Sequence, residues 1–339
     1  MKKLLLSIGL SAGIFAVSAQ HFNNLVSNIQ SSFRGLETYK ENVVWVSGSK
    51  GTVGRSIDAG KSWTWVNPKG YEQFDFRDIE VFSAKEAVIV SAGSPAVVLR
   101  TKDGGKSWKE VYRNERAEIF LDGMDFHGKT GFIFGDPIDG SFQLLKSKDK
   151  GKTWTDVSNH IFLLAEEGEA GFAASGSGIQ VFPDIVYIAS GGRYSSFYKR
   201  SEKEHSLDVL DVPIWSGEAS TGIFSLDFWD KQTGVLVGGN YTADQDNRNN
   251  ILLTTNAGKS WVKPATPVGG YRSSVKYISK SVLLATGTSG TDLSTDGGQN
   301  WKTISKASFN VLAKSKSGKH IYLAGSNGNV ESLSLADMK

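Results

Sequence analysis

The sequence predicts an all-β chain: a seven-bladed β-propeller of four-stranded antiparallel blades, with the ring closed by a strand from the mature N-terminus. Two observations carry the prediction. An eight-residue pattern, Ser/Thr-x-Asp-x-Gly-x-x-Trp, recurs at the spacing of one propeller blade. Seven short apolar runs, each followed directly or soon after by glycine, recur with it as strand candidates.

The pattern stands first as Ser56-Ile57-Asp58-Ala59-Gly60-Lys61-Ser62-Trp63 and again as Thr101-Lys102-Asp103-Gly104-Gly105-Lys106-Ser107-Trp108. It returns as Ser147-Lys148-Asp149-Lys150-Gly151-Lys152-Thr153-Trp154, and with Asn for Asp as Thr254-Thr255-Asn256-Ala257-Gly258-Lys259-Ser260-Trp261. The fifth copy is Ser294-Thr295-Asp296-Gly297-Gly298-Gln299-Asn300-Trp301. The closing tryptophans lie 45, 46, 107 and 40 residues apart, so the long gap holds two periods and one decayed copy. Its remnant is Ser201-Glu202-Lys203-Glu204-His205-Ser206-Leu207, where Lys203 stands for Asp and His205 for Gly. The chemistry of the box is conformational. Hydroxyl and carboxylate oxygens accept hydrogen bonds from nearby backbone N–H groups and fix a turn. Glycine permits positive φ, and the tryptophan supplies apolar surface between neighbouring sheets. Asp58, Asp103, Asp149, Asn256 and Asp296 are therefore structural residues, as are the five tryptophans.

The seven second strands are read at residues 43–46, 87–90, 131–134, 185–188, 234–237, 281–284 and 320–323. A first strand precedes each, such as residues 76–82 and 224–228. The last blade, from about Phe309, has strands through Leu335 and no box after them. The segment 22–29 is expected to supply its outer strand, which closes the ring and removes a bare sheet edge.

Residues 1–19 read as a signal peptide: Lys2 and Lys3, an apolar run over residues 4–17, and Val17-Ser18-Ala19 before the new terminus Gln20. Residues 20–339 then form one propeller domain in the periplasm or outside the cell. No later run is long and apolar enough for a membrane span. With no cysteine, disulfides, thiol chemistry and Cys-ligated metals are excluded. Without Lys2 and Lys3, 36 basic residues face 35 acidic ones, which is no footprint for nucleic acid. The 38 glycines and 37 aromatic residues suit short strands and tight turns. The five histidines are scattered, with no pair at metal-binding spacing.

The boxes resemble the BNR/Asp-box repeats of sialidases and of many non-enzymatic propellers. A closer resemblance, over nearly the whole mature chain, is to bacterial propellers related to the photosystem II stability/assembly factor. It rests on Phe33-Arg34-Gly35-Leu36, Gly135-Asp136-Pro137-Ile138-Asp139-Gly140, Glu167-Gly168-Glu169-Ala170-Gly171-Phe172-Ala173-Ala174-Ser175-Gly176 and Gly238-Gly239-Asn240-Tyr241-Thr242. In photosynthetic members this implies a chaperone-like scaffold that binds reaction-centre polypeptides. Some members carry the label "oxidoreductase".

Arg34 and Arg77 open the first strands of two successive blades, and Arg272 falls within one residue of that position in a later blade. First strands line a propeller's channel, so three guanidiniums there can grip a carboxylate, a phosphate or an acidic peptide through forked hydrogen bonds. The alternative is pairing with a neighbouring carboxylate such as Asp78 or Asp122. A second set, Asp136, Asp139, Glu169, Asn240, Tyr241, Asp244 and Asp246, lies in turns and loops outside the boxes, where function usually sits. The run Asp136 to Gly140 reads equally as a plain turn. The run Asp244-Gln245-Asp246-Asn247 offers oxygen ligands for calcium without EF-hand spacing.

Three functions are weighed. The first is an exported, non-enzymatic scaffold that binds a protein or an anionic ligand at the channel mouth. The second is a sialidase-like glycosidase, with Arg34, Arg77 and Arg272 on a substrate carboxylate and Tyr241 with Glu169 as nucleophile and activator. Phe76-Arg77-Asp78-Ile79 departs from that family's Arg-Ile-Pro motif, and seven blades depart from its six. The third is an oxidoreductase, for which the chain has no Gly-x-Gly-x-x-Gly turn and no βαβ alternation. The first reading is preferred, with no cofactor expected.

Overall fold

A computed structural model describes residues 22–26, 29–316 and 319–334. The signal peptide expected over residues 1–19 lies outside the described residues. Seven antiparallel sheets follow one another along the chain, as the box spacing requires. Blade 1 runs through Phe33–Tyr39, Val43–Gly48, Val53–Ser56 and Thr64–Trp65. Blade 2 comprises Asp75–Val81, Ala87–Ala92, Ala96–Thr101 and Lys109–Asn114; blade 3, Leu121–His127, Thr130–Ile138, Ser141–Ser147 and Thr155–Asp156. Blade 4 comprises Ile179–Val181, Ile185–Ala189, Ser196–Ser201 and Leu207–Asp211. In blade 5, Thr221–Phe228, Gly234–Asn240 and Ile251–Thr254 are followed by a single outer bridge, Leu253 to Val262. Blade 6 comprises Ser274–Tyr277, Leu283–Gly287, Gly290–Ser294 and Lys302–Ser305. Blade 7 has Val311–Lys314, His320–Ala324 and Val330–Ser334 from the chain's end, and Phe22–Val26 from its beginning. The N-terminal strand thus closes the ring.

The cores lie between blades. Seven apolar clusters fill the seven gaps, each built from two adjacent sheets. Every box tryptophan enters the cluster it shares with the preceding blade. Trp108 joins Trp45 and Val53 of blade 1, and Trp301 joins Val235 and Leu253 of blade 5. Trp63 reaches back across the closure to the blade 7 cluster. Where the box has decayed, Leu207 takes the tryptophan's place between blades 3 and 4.

The five boxes share one hydrogen-bond pattern. The Ser/Thr hydroxyl accepts from the glycine N–H at 2.8–3.1 Å and donates to the Asp or Asn Oδ1 at 2.8–2.9 Å. That oxygen accepts the N–H four residues on, for example Ser62 at 2.9 Å. The glycine serves two needs at once. Its φ is between +69° and +91°, and a Cβ there would collide with the preceding blade: Leu25 at Gly60, Val66 at Gly105, Val88 at Gly151, Phe197 at Gly258 and Leu253 at Gly298. Each box is thus a peg set into the blade before it.

Hydrogen bonds from Ser62 and Ser107 hold the Asp58 and Asp103 carboxyls down at about 2, below the ordinary 3.8. Such groups stabilise the fold above the ordinary carboxyl range, and the contribution is lost as pH falls through about 4 toward 2. Asn256 shows that a neutral amide fills the same slot, its Nδ2 donating to Ser260 at 2.8 Å. An Asp58→Asn/Asp103→Asn variant is therefore expected to lose less melting temperature than the wild type between about pH 5 and pH 2. Equal losses in scanning calorimetry would show that the boxes do not govern acid stability.

Candidate functional site at the arginine mouth

The first strands carry a shared irregularity. In blades 1, 2, 3 and 5 the pairing with the second strand shifts by one residue, at Arg34, Arg77, Asp122 and Phe224. A bulge leaves one residue unpaired and re-aims its side chain. All four side chains line one cavity of about 430 Å³ at the end of the channel where the first strands begin. Phe120, Asp136, Phe172, Tyr241, Tyr271 and Asn310 complete much of its wall.

Residues 170–177, between blades 3 and 4, cross the channel beneath this cavity. The Gly171 N–H donates to Asp136 Oδ1 at 2.8 Å. The Ala174 carbonyl accepts from Arg34 Nη1 at 3.1 Å, and the Ser175 hydroxyl donates to the Ser273 carbonyl at 2.6 Å. Phe172 stacks on Phe224 with ring centroids 3.7 Å apart. The segment is thereby tied to blades 1, 3 and 5 and to the approach to blade 6. It separates the arginine mouth from a second cavity of about 540 Å³, which is lined by Ser175, Gly176 and Ser177 and by Glu37, Glu80, Asp125, Asp227 and Lys276.

At the mouth, Arg77 Nε is 2.8 Å from Asp75 Oδ2, and its guanidinium lies over the Phe120 ring. Arg34 has no ion pair among the described residues; its hydrogen bond goes to the Ala174 carbonyl. Burial, and then the charge of Arg77, push the Arg34 guanidinium below its ordinary value. Asp122 is buried, and burial followed by the nearby Asp136 raises its carboxyl well above the usual range. Burial also raises Asp136. The two guanidiniums thus stand beside carboxyls that burial pushes upward, with Asp75 paired to Arg77 and Arg34 left without an acidic partner among the described residues. Phe172, Phe224, Tyr241 and Tyr271 form a contiguous aromatic wall beside them.

Arg272 corrects the expectation of an arginine trio. It is fully buried, with Nε and Nη2 each 2.6 Å from Asp292 Oδ2 and Nη1 donating to the Tyr271 carbonyl and Ser289. The cause is register. In blade 6, Ser273 holds the place of Arg34 and Arg77, while Arg272 holds that of the core residues Phe33 and Phe76. A shift of one residue sends a side chain to the other face.

The remaining candidates do not form one site. Asp136 and Tyr241 line the mouth. Glu169 is buried, accepting hydrogen bonds from the Tyr198 and Ser190 hydroxyls and the Glu166 N–H. Glu169 and Tyr241 therefore do not meet as a glycosidase pair. Asp139, with φ of +55° followed by Gly140 at +78°, makes the tight hairpin turn in blade 3 and pairs with Arg116 at 3.2 Å. Asn240 is buried and accepts from the Thr242 N–H and hydroxyl. Asp244 Oδ2 accepts from Thr288 Oγ1 at 2.7 Å, and Asp246 pairs with Arg248 at 2.6 Å. The loop weighed for calcium thus spends its carboxylates on Thr288 of the blade 6 hairpin and on Arg248.

Asp122, Phe172, Phe224 and Tyr271 escaped the sequence reading as lining residues. A signal was present: Phe33-Arg34-Gly35-Leu36-Glu37, Phe76-Arg77-Asp78-Ile79-Glu80, Leu121-Asp122-Gly123-Met124-Asp125 and Ile223-Phe224-Ser225-Leu226-Asp227 align with the bulged residue second and a carboxylate last.

The model of the photosynthesis system II assembly factor YCF48 family matches residues 14–118 and 71–163. Over residues 14–163, under half of its length, the chain is similar to that family. A YCF48 structure solved with a D1 peptide has a TM-score of 0.66 at 15% identity, covering 93% of this chain and 97% of that one. YCF48 from Cyanidioschyzon merolae has a TM-score of 0.63 at 15% identity, with 92% and 98% covered. The WD40 propeller domain of Doa1 has 0.64 at 11% identity, with 93% and 97% covered. At such identities these likenesses to YCF48 and WD40 propellers establish the fold. No curated protein sequence matches the chain.

Proposed function

We propose that this YCF48-related chain is an exported scaffold that binds a polypeptide segment through the arginine mouth. The observation that carries the reading is Arg34: a partly desolvated guanidinium beside Arg77, without an ion pair among the described residues, at the rim of an aromatic-walled cavity. Such a cation gains most from a carboxylate that brings its own fork of acceptors. The aromatic wall suits an apolar or aromatic side chain next to that carboxylate. The relative solved with a D1 peptide supports a peptide as the class of partner. Export rests on the Lys2/Lys3 and residues 4–19 pattern, and would appear as a periplasmic product beginning at Gln20.

The test uses the chain from Gln20, immobilised against detergent-solubilised envelope extract, beside an Arg34→Ala/Arg77→Ala variant. A captured protein is identified, and its acidic segments are titrated as peptides. The double variant is expected to bind such a peptide at least about tenfold more weakly, as loss of charge-assisted hydrogen bonds requires. Equal affinity for both forms would remove the arginine mouth from the reading.

A further inference from the structure

The end of the ring opposite the arginine mouth carries a feature that formal charge conceals. Each box lies beyond the end of its blade's third strand, against the turn between the first and second strands. Ala59 N–H bonds to the Asn42 carbonyl, Gly104 N–H to that of Lys85 and Lys150 N–H to that of Lys129. The boxes of blades 2 and 3 are continuous, because Arg100 Nε donates to the Lys150 carbonyl at 3.2 Å. On this joined face Lys85, Lys102, Lys106, Lys129, Lys148 and Lys152 are all exposed. None of the six forms an ion pair among the described residues. Glu37, Glu80 and Asp125 line the channel cavity toward this end, and the acids beside the lysines are engaged internally. Glu86 pairs with Arg100 at 3.1 Å, and Asp103 and Asp149 hold their boxes together.

Three features choose among polyanions. The cations are ammonium points with no exposed arginine fork among them, which suits a diffuse field of phosphates better than bidentate recognition. The aromatic rings beneath them, Phe82, Phe126 and Trp154, pack against one another in the core, so no platform is offered to nucleobases. The neighbouring box of blade 1 places Ile57, 60% exposed, at the box position that Lys102 and Lys148 hold in blades 2 and 3. An exposed isoleucine beside a lysine cluster suits a surface where hydrocarbon lies next to negative charge.

We propose that the box face of blades 1 to 3 docks on an anionic lipid bilayer, with the six lysines at the headgroup phosphates and Ile57 at the hydrocarbon margin. The arginine mouth then points away from the membrane and stays open to a partner. The lipid contact uses none of the mouth residues.

The experiment is vesicle flotation of the chain from Gln20, which keeps every described strand of the ring. Phosphatidylcholine vesicles are compared with and without phosphatidylglycerol, and retention on heparin is measured in parallel. The expected result is flotation only with the anionic lipid, at about 0.05 M salt, lost by about 1 M. Lys102→Glu/Lys106→Glu/Lys148→Glu/Lys152→Glu should weaken it at least about 100-fold, and the matching glutamine variant should do so by a smaller factor. Ile57→Ser should reduce flotation several-fold and leave heparin retention unchanged. Failure of the wild type to float, or flotation indifferent to the lysine changes in variants that melt as the wild type does, overturns the proposal. Flotation indifferent to Ile57→Ser, with heparin retention lost in the lysine variants, makes the face a general polyanion surface and overturns the lipid assignment.

Discussion

Arg272→Ala is expected to destabilise the protein by about 3–5 kcal/mol, the cost of leaving one partner of a buried ion pair alone. The residue left behind is Asp292, itself buried and held by the Gly269 N–H at 2.9 Å and the Thr303 hydroxyl at 2.6 Å. Those two donors cannot replace a guanidinium that brings two nitrogens to one oxygen at 2.6 Å. Urea denaturation should show a lower midpoint with an unchanged slope. Arg34→Ala, which breaks one hydrogen bond to a carbonyl, should cost only about 1 kcal/mol. A similar cost for both would mean that Arg34 also serves the fold and that the division between structural and ligand-facing arginines is wrong.

Removal of the strand Phe22–Val26 is expected to open the ring. Blade 7 would keep three strands and expose the backbone edge of Val330–Ser334. Two inter-blade cores would also lose side chains: Phe22 from the gap between blades 6 and 7, and Leu25 and Val26 from the gap between blades 7 and 1. These groups are partly exposed, so their combined burial is worth about 3 kcal/mol, roughly half the figure for full burial. The bare edge adds a tendency to associate. A chain beginning at Ser31, which also loses Ile29 from the gap between blades 7 and 1, should therefore melt at a lower temperature than one beginning at Gln20 and elute as oligomers. A synthetic peptide of residues 20–30 should restore the monomer by strand addition. A monomeric, equally stable truncated chain would show that the closure is dispensable.

The blades were legible because their signal is repeated. The box writes hydroxyl, carboxylate, glycine and tryptophan into the sequence at fixed offsets, and each offset answers a local hydrogen bond or a local φ. The closing strand was legible by subtraction, since the last blade lacked an outer strand and the first segment lacked a sheet. The site was less so. Whether Arg34 faces the channel or the core depends on a one-residue bulge, and nothing local in Tyr271-Arg272-Ser273-Ser274 announces that Arg272 falls on the other side. The segment 170–177 was visible as an unusual motif, yet its path across the channel is set by partners on four other parts of the ring. Glu169 looked like a loop carboxylate because its burial under Tyr198 and Ser190 is a long-range packing result.

The pegging of each box into the blade before it also bears on how the chain comes to be folded. A blade's contact with its predecessor is complete once its own box has been made, so every interface but the last joins segments close in sequence. Blade 1 follows the same rule, since Gly60 rests on Leu25, which precedes it. Assembly can then proceed in the order of synthesis, with each new sheet templated by an existing one. The loop-closure entropy of the ring is concentrated in one late event, the pairing of Val330–Ser334 with Phe22–Val26.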